Sequence, residues 1–470
     1  MEIFERLRSA VKHTEKLPYL VSRRVAYVVS HAYPFSSNGY AVRTHGIAQG
    51  LQKHGYSVVV FNRPGRPWDL EGFSAEDVDR QYEIDKVRYL FFRRPSTNES
   101  SKEEYLSATA EGLKEAFRVF KPIAVIAASD WNNALPAALA ARELGLPFYY
   151  EVRGFWELSR AARYPGYEQT QAFRDYIARD VEVASSANAV FTLNRFMKAE
   201  LSSRGLDKEK VEVISNGYGE LPVAEAGGGE EVRKSLAITE RYVLGYVGSF
   251  APYEGLDDLI GACAVLRSRG VDACVLLVGS SSPVARRAYE GSSRDLSIEY
   301  QRLAASYNIS SHVYMTGRVD PGELAAYYDL IDLFVIPRKN VAVSELVSPV
   351  KPIEALAHGK LVLTSDVPPL AELAKHVCTL QTFHSGDFVD LARKSADLLG
   401  TADPDLSREA RQQSQRFVDE NHRWHSVVGP LVSVLTKLEL QHQWYEKLSQ
   451  RSSGAAVPRR DERLNAVHQT

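Results

Sequence analysis

The segment with the most chemical information lies between Asp332 and Lys360, where basic residues flank the start of a predicted helix. It reads DLFVIPRKNVAVSELVSPVKPIEALAHGK, which indicates a buried strand, a loop and a helix that begins near Pro352. Proline is favoured in a first helical turn because its missing N–H would have no partner there. The free backbone N–H groups of such a helix start, those of Val350 and Lys351, favour an anion, and a diphosphate suits them.

Three charged side chains in this segment have the types needed to hold a nucleoside diphosphate. Lys351 would add a point charge at the helix start, and Arg338, at the end of the preceding strand, would offer two parallel donors to the same phosphates. Glu354 lies in the first helical turn, where its carboxylate can accept hydrogen bonds from ribose hydroxyls. The structural alternative is that Glu354 complements the helix dipole, which contributes ~0.3 to 1 kcal/mol.

Two further turns lie at the ends of predicted strands. In YVLGYVGSFAPYEGLDDL a strand ends at Gly248 and Ser249 before a helix, although turn geometry alone also accounts for a glycine there. In SHAYPFSSNGYAVRTHG, after the first strand, Asn38 and Gly39 form a tight turn ahead of a helix. We expect this small loop to close over a ligand that an opposite domain holds.

The elements that must position these residues follow from the pattern of the whole chain. Its 470 residues are 44% hydrophobic and 25% charged, which is typical of a soluble globular protein and excludes a disordered, collagen-like or disulfide-rich chain. The formal net charge of −2 argues against a nucleic-acid binder. Short apolar runs alternate with helical patterns throughout, which predicts an α/β protein of two doubly wound units with parallel sheets that face a cleft.

The polar, glycine-rich stretch GELPVAEAGGGEE separates the two predicted units. We predict an N-terminal domain over 1–220, which includes an extra helix in 1–23, then a linker over 221–238 and a C-terminal domain over 239–415. A helical pattern occupies 416–450. Residues 451–470 are rich in Ser, Gly, Arg and Pro and are predicted to be a disordered tail.

The order of the motifs resembles that of the GT-B glycosyltransferases of family 4. After the glycine-bearing loop come LGLPFYYEV, VISNGYG, GYVGSFAPYEGLDDLIGA, VLLVGSS, HVYMTGRVDPGELAAYYDLIDLFVIPR and PVKPIEALAHGKLVLTSDV. The chain is also similar to a subgroup that is associated with exopolysaccharide and other surface-glycan assembly. The resemblance implies two Rossmann-like domains, an acceptor bound by the first, a donor bound by the second, and a C-terminal helix that crosses back to the first.

The reaction that the resemblance implies is a retaining transfer of a sugar from a nucleotide donor, with UDP or GDP as the leaving group and with no metal or other cofactor. Without a metal, fixed cations and N–H groups must meet the charge of the leaving group. Asn216, in the N-G element near the domain junction, matches a family element that shapes the hinge and contacts the donor.

The chain departs from the family pattern at the usual phosphate cations. Ser249 and Glu254 stand where the family commonly has Arg and Lys. We therefore predict that Arg338 and Lys351 replace them.

Two other family positions also differ. Counting eight residues back from Glu354, to the family's paired glutamate, gives Leu346, so the adjacent Glu345 is the candidate substitute. Arg153, in YYEVRGFWE, stands where the family has a His. Arginine stays protonated and cannot act as a base, but it could clamp a donor hydroxyl, a leaving phosphate or an anionic acceptor. The alternative is a buried ion pair with one of its neighbouring glutamates, Glu151 or Glu157.

Asp130, in ASDWNN at the end of another N-terminal strand, is a candidate for an acceptor contact or for base catalysis. A retaining transfer of this kind needs no strong protein base, so the basic residues are the better candidates.

The leading hypothesis is a retaining glycosyltransferase that acts on a glycan or lipid-linked acceptor in surface polysaccharide synthesis. The alternatives are a GT-B protein that binds nucleotide sugars without turnover, and a GT-B enzyme of another reaction type. Three cysteines without metal or redox spacing, all expected to be buried, and the lack of an export signal favour a cytoplasmic protein. The basic N-terminal helix is expected to pack on the protein body, with a peripheral membrane contact as the alternative.

Overall fold

A computed structural model describes residues 2–10, 15, 17, 19–69, 78–220, 227–281, 295–400 and 404–452. Within these residues the chain forms two largely parallel sheets, as predicted. Both sheets are covered by helices.

The first sheet lies in the N-terminal half of the chain. Its strands are β1 (Arg24–Val29), β2 (Ser57–Asn62), β3 (Gln81–Ile84), β4 (Val87–Leu90), β5 (Ala124–Ala128), β6 (Phe148–Val152), β7 (Ala189–Thr192) and β8 (Val211–Val213). Their order across the sheet is β3-β4-β2-β1-β5-β6-β7-β8, and β3 runs antiparallel to β4 while the other neighbours are parallel. Every residue of β5 is buried, as expected of a strand that has helices on both faces.

The helices of this half are α1 (Glu2–Ser9), α2 (Gly39–Lys53), α3 (Lys102–Phe120), α4 (Trp131–Glu143), α5 (Trp156–Ala161), α6 (Gln171–Ser186) and α7 (Arg195–Ser203). The apolar face of α1 packs on the protein body, because Ile3, Phe4 and Leu7 are buried in the core cluster that contains α3 and α4 residues. This agrees with the expectation that the N-terminal helix packs on the protein body. Within the described residues, no helix is long and apolar enough to cross a bilayer.

The second sheet contains β9 (Tyr242–Val247), β10 (Ala273–Val278), β11 (Val313–Gly317), β12 (Leu333–Ile336), β13 (Leu361–Ser365) and β14 (Leu380–Phe383). Its order is β11-β10-β9-β12-β13-β14, and all neighbours are parallel. The accompanying helices are α8 (Gly228–Ser235), α9 (Leu256–Ser268), α10 (Leu296–Ser306), α11 (Leu324–Leu330), α12 (Ala342–Leu346), α13 (Lys351–Ala357), α14 (Pro368–Ala374) and α15 (Phe388–Gly400).

After the second sheet the chain returns to the first domain, as predicted. Helix α16 (Pro404–Asn421) still packs on the second domain, where Ser414 contacts Thr379 and Val418 lies in the core. The returning helices are α17 (Trp424–Val427) and α18 (Gly429–Ser452). Trp424 is buried against α2, where a Cβ added at Gly46 would lie 2.1 Å from the indole ring. Gly46 is therefore required for this close packing, in which the buried Trp424 indole joins the first-domain core.

Two details differ from the sequence predictions, and one predicted segment lies outside the described residues. Part of the predicted linker, residues 228–235, is helix α8, which packs on α11, and the Gly229 N–H of α8 donates to Oδ2 of Asp329 at 3.2 Å. Cys378 is exposed, so the prediction that all three thiols are buried is wrong for this residue. Cys378 follows α14 at the surface of the protein. Its apolar neighbours in the sequence therefore did not predict its burial. The predicted tail lies outside the described residues from 453 onward.

Candidate functional site

The candidate site lies at the carboxyl edge of the second sheet, where β9 and β12 are neighbours. Gly248 follows β9 directly, and Arg338 follows β12 after one residue. Because the carboxyl ends of parallel strands meet at one edge, residues far apart in sequence converge here. The short helix α12 then leads to α13, which begins at Lys351, next to the predicted Pro352.

Glu254 lies between the two predicted cations. Its Oε1 accepts from Nη2 of Arg338 at 2.9 Å and from Nζ of Lys351 at 3.3 Å, and its Oε2 accepts from Nε of Arg338 at 3.3 Å. Nη1 of Arg338 donates to the carbonyl of Val347 at 2.9 Å. We call Glu254, Arg338 and Lys351 the Glu254 cluster.

The charges of this cluster stabilise one another in a buried place. Burial opposes the ionisation of Glu254, but Arg338 and Lys351 outweigh it and lower the pKa of this carboxyl to about 2. Burial lowers the pKa of Lys351, while the attraction of Glu254 raises it. The two cations and one carboxylate leave one positive charge in excess, which suits an anionic ligand.

Gly248 provides the space that Lys351 occupies. Its φ is +148°, and a Cβ there would lie 2.3 Å from Cε of Lys351. A side chain at this position would therefore displace the lysine as well as strain the backbone. The next residue, Ser249, is exposed, and its carbonyl accepts from the Tyr246 hydroxyl at 3.0 Å.

Glu354 lies in the first turn of α13, one turn after the capping residue Val350. Its side chain is half-buried, and burial raises its pKa while Lys351 opposes that change. Tyr33, from the loop after β1, lies close enough that the charge of Glu354 adds to burial in raising the tyrosine pKa to about 12. Glu354 thus faces residues of the first domain, as a residue of the cleft must.

The loop after β1 approaches the same helix start. The Asn38 side chain caps α2 by accepting from the Ala41 N–H at 3.1 Å. A Cβ added to Gly39 would lie 3.6 Å from Cγ2 of Val350, so the first turn of α2 stands against the start of α13. The structure brings these two predicted loops together.

Asn216 joins three parts of the chain. Its Oδ1 accepts from Nη1 of Arg43 at 3.1 Å, and its Nδ2 donates to the carbonyl of Ser348 at 2.9 Å. Its own carbonyl accepts from the His422 ring at 2.9 Å. These contacts link α2, the loop before α13 and the returning C-terminal segment, which agrees with a hinge role. Its contact with a donor stays a prediction.

Arg153 lies inside the first domain, in the ion-pair arrangement that the sequence left open. Its Nε donates to Oε2 of Glu151 at 2.8 Å, and Nε of Arg43 donates to Oε1 of the same carboxylate at 2.7 Å. We call these three residues the Glu151 cluster. The remaining Arg153 donors reach the Tyr40 carbonyl, Thr44 Oγ1 and the Tyr27 hydroxyl.

This geometry shows the ion pair that the sequence left open for Arg153, while a contact with a ligand stays a prediction. Its side chain is 3% exposed, and its Nε and both Nη nitrogens donate to protein acceptors. A contact with substrate would require the breaking of these bonds in a place that water does not reach. Glu157, the other neighbouring glutamate, pairs with Arg204 at 2.7 Å instead.

Within the described residues, no hydrogen bond or ion pair joins the side chain of Asp130 or of Glu345 to the Glu254 cluster. Asp130 precedes α4, and its Oδ2 accepts from Asn132 Nδ2 at 2.6 Å and from the Tyr176 hydroxyl. Glu345 is exposed on α12, a short helix where a loop was expected, and this helix contacts α7 and α5. Neither position contradicts a ligand contact, and both roles stay predictions.

Sequence reasoning missed that Glu254 contacts both cations. From the sequence, Glu254 was interpreted only as the residue that replaces a lysine of the family pattern. Gly255, the next residue, is a sequence signal of a tight turn here: its φ is +70°, and a Cβ would lie 1.8 Å from the Pro337 carbonyl oxygen. This close approach holds Glu254 against Arg338. Among the described residues, no group of three or more His, Cys, Asp or Glu side chains could hold a metal ion.

The match with two family models agrees with this architecture. The model described as "Glycosyl transferase 4-like domain" matches residues 38–217, and that of "Glycosyl transferases group 1" matches residues 229–417. The first match ends just after the first sheet, and the second match begins at the start of the second domain.

Similar proteins include two curated relatives. A D-inositol 3-phosphate glycosyltransferase of Salinispora tropica is 25% identical over 451 residues, which are 91% of this chain and 88% of that protein. TuaH of Bacillus subtilis, a putative teichuronic acid biosynthesis glycosyltransferase, is 26% identical over 254 residues, which are 53% of this chain and 58% of that protein. The match with TuaH thus spans little more than half of either protein.

Among solved structures, Anabaena Alr3699/HepE in complex with UDP and glucose aligns with a TM-score of 0.66. The alignment covers 88% of this chain and 100% of that chain, at 14% identity, which supports the fold alone. The fold, the two matched family models and the ordered motifs agree: this chain belongs to the family 4 glycosyltransferases, with the GT-B fold.

Proposed function

We propose that the chain is a retaining, metal-independent glycosyltransferase in surface polysaccharide synthesis. It transfers a sugar from a UDP-sugar or GDP-sugar donor to a glycan or lipid-linked acceptor. The observation that carries this proposal is the Glu254 cluster, where Arg338 and Lys351 meet at the carboxyl edge of the second sheet. The first turn of α2 stands opposite, so a ligand on this cluster would be enclosed by both domains.

In the proposed reaction, the bond between C1 of the donor sugar and the diphosphate oxygen breaks. A bond from C1 to the acceptor hydroxyl oxygen forms on the same face of the sugar. The acceptor proton passes to an oxygen of the leaving phosphate, so no protein base is required. The residues that matter most are therefore those that stabilise the charge of the departing diphosphate.

The Glu254 cluster has the properties that this task requires. Glu254 fixes the Arg338 guanidinium and the Lys351 ammonium group before any ligand arrives, so little reorganisation is needed in the transition state. The cluster is largely shielded from water, and charge interactions are stronger there than in bulk solvent. We assign the phosphate contact to Lys351 and Arg338, and the ribose contact to Glu354.

The similar proteins support the finer parts of the proposal. The HepE structure is titled as a complex with UDP and glucose, which supports a uridine nucleotide. The name of TuaH refers to teichuronic acid synthesis, which supports a polymer of the cell surface as the product.

The test is turnover of UDP- and GDP-sugars, followed by NMR, with glycans and lipid-linked glycans as acceptors. We expect consumption of one donor, a product with the anomeric configuration of that donor, and turnover that persists in EDTA. An inverted product would contradict the retaining mechanism. Turnover that EDTA abolishes and Mg²⁺ restores would contradict metal independence.

A binding protein without turnover is the second candidate, and one observation favours it. Glu254 already pairs with both cations, so a diphosphate would have to share them with a carboxylate. Nucleotide-sugar binding that depends on Glu354, without consumption of any donor in the same panel, would identify this alternative.

A further inference from the structure

A second set of basic side chains lies at the carboxyl edge of the first sheet, in the loop after β2. Nη2 of Arg63 lies 2.5 Å from Oδ2 of Asp69, and Nε of Arg66 lies 3.3 Å from Oδ1 of the same carboxylate. The arginine side chains are 19% and 12% exposed. We call Arg63, Arg66 and the neighbouring His31 the basic crevice. It lies in the domain that is expected to receive the acceptor.

The backbone of this loop is held on three sides. The Arg63 N–H donates to the Val29 carbonyl at 2.7 Å, and the Gly65 N–H donates to the Phe92 carbonyl at 2.7 Å. The Tyr105 hydroxyl donates to the Pro64 carbonyl at 2.9 Å. The guanidinium groups are therefore presented from a fixed backbone, and a ligand would not have to order them.

His31 connects this crevice to the cleft. Its ring stacks on Tyr40, with 5.7 Å between the ring centroids, and its Nδ1 lies 3.3 Å from Nδ2 of Asn38. Burial and the nearby Arg66 and Arg63 lower the pKa of His31 to about 3, so its ring is neutral near pH 7. Asn38 caps the helix whose first turn faces Val350, which places the basic crevice beside the proposed donor site.

In the two ion-pair groups that the structure describes at this edge of the sheet, basic side chains outnumber carboxylates. Arg63 and Arg66 share Asp69, just as Arg43 and Arg153 share Glu151. Within these two groups, four guanidinium groups thus pair with two carboxylates. The neutral His31 adds no negative charge.

One donor in the crevice is also unused. Nε of Arg63 is buried and has no hydrogen-bond partner among the described residues. Shielded positive charge in excess of the paired carboxylates of the described residues, and a buried donor without an acceptor, both cost free energy that an anion would offset. Guanidinium groups match the paired oxygens of a phosphate.

We propose that the basic crevice binds a phosphate group of the acceptor, so that the acceptor is a sugar that carries phosphate. This rests on the proposed function and specifies its acceptor class. The phosphate could belong to a soluble sugar phosphate or to a lipid-linked sugar, and the experiment has one arm for each source.

The experiment compares Arg63→Gln and Arg66→Gln with Arg88→Gln, a matched control. Arg88 is exposed on β4, so its replacement removes the same charge outside the crevice. The soluble arm titrates glucose 6-phosphate, against glucose, by calorimetry without donor. The lipid arm measures binding to phosphatidylcholine vesicles that contain polyprenyl diphosphate-linked N-acetylglucosamine, against vesicles without it.

We expect the phosphate-bearing probe of one arm to bind the wild-type protein and Arg88→Gln equally. Binding should be at least tenfold weaker in Arg63→Gln and Arg66→Gln. Equal binding in all four proteins, or no binding of either probe to the wild type, would overturn the proposal. Arg66→Lys guards against misfolding, because it keeps the charge beside Asp69 and should weaken binding by a smaller factor.

The binding arms need no turnover, so they separate the two proposals. If no nucleotide sugar is consumed but the crevice variants lose phosphate binding, the proposed function is contradicted. The proposal that the basic crevice binds phosphate is then still supported. If a donor is consumed, the same variants should raise the KM for a phosphate-bearing acceptor at least tenfold and leave donor hydrolysis by water unchanged. An unchanged KM would overturn the crevice proposal alone.

Discussion

The Glu151 cluster and the Glu254 cluster each join one glutamate to two basic residues but have different surroundings. In each, a glutamate that is almost inaccessible lies between two basic side chains. Burial opposes ionisation in both, but the adjacent cations lower each glutamate pKa to about 2. The two clusters differ in what else their cations contact.

In the Glu151 cluster the other donors are used by the first domain itself. Arg43 donates to the carbonyls of Ile214 and Ser215, and Arg153 to the carbonyl of Tyr40. In the Glu254 cluster, Glu254 is the only hydrogen-bond acceptor of Lys351 within the described residues. Nε, Nη1 and Nη2 of Arg338 donate to protein acceptors, as those of Arg153 do, so the Lys351 ammonium group is what distinguishes the Glu254 cluster. An ion pair whose donors are all used holds the fold, whereas one that includes unused donors at a cleft can also bind a ligand.

The largest expected effect is on stability, from Glu151→Gln. Removal of this carboxylate leaves Arg43 and Arg153 as buried charges without a counter-charge, which costs about 3–5 kcal/mol. Urea unfolding at pH 7 measures the change. Glu182→Gln, which removes an exposed pair with Arg8, is the matched control and should cost less than about 1 kcal/mol. A loss below about 1 kcal/mol in Glu151→Gln would contradict the structural role of this cluster.

The next effect is on turnover, from Lys351→Met. Loss of one fixed cation at the leaving group should lower kcat by about 10²–10³-fold, with a smaller stability change than Glu151→Gln. Steady-state kinetics with the donor that the wild type consumes would measure it. The control is Lys339→Met, since Lys339 pairs with Asp257 and Asp258 of α9 rather than with Glu254. Equal kcat values for both variants and the wild type would show that Lys351 does not stabilise the leaving group.

The smallest effect tests whether Glu254 competes with the ligand. Glu254→Gln frees Arg338 and Lys351 and removes a negative charge beside the proposed diphosphate. We therefore expect the Kd for UDP, or for GDP if that is the nucleotide bound, to fall about tenfold, which corresponds to about 1.4 kcal/mol. Calorimetry measures it, and Asp257→Asn, which is on α9 and pairs with Lys339, is the control. Weaker binding in Glu254→Gln would mean that the positioning of the cations by this carboxylate outweighs its competition with the diphosphate.

Much of the fold could be predicted from local sequence patterns. The apolar runs of β9, β10 and β12 are too continuous for an exposed sheet, so parallel sheets with helices on both faces follow. Pro352 marked the start of α13 because proline fits only the first helical turn. The helix within the predicted linker was missed, because glycine-rich, polar residues hide an element whose partner, α11, lies about a hundred residues further along the chain.

The candidate site could be predicted only in part. Arg338, Lys351 and Glu354 lie on one strand-loop-helix unit, so local reasoning placed them together. Glu254 is 84 residues from Arg338, and nothing near it in sequence identifies its partner. For Arg153, the sequence left a ligand contact and an ion pair open.

The sequence by itself determined the α/β architecture, the family and the segment that carries the basic residues, because these depend on periodicity, turn chemistry and local order. Only the tertiary structure decided which charged side chains are fully bonded within the protein and which have donors left for a ligand. Arg153 is enclosed by residues of β1 and α2 more than one hundred positions away, while Lys351 stands against a glycine at the cleft. The physical reason is that the role of a charged side chain depends on its burial and on how many of its donors are already bonded. Both are set by segments that meet only when the chain folds.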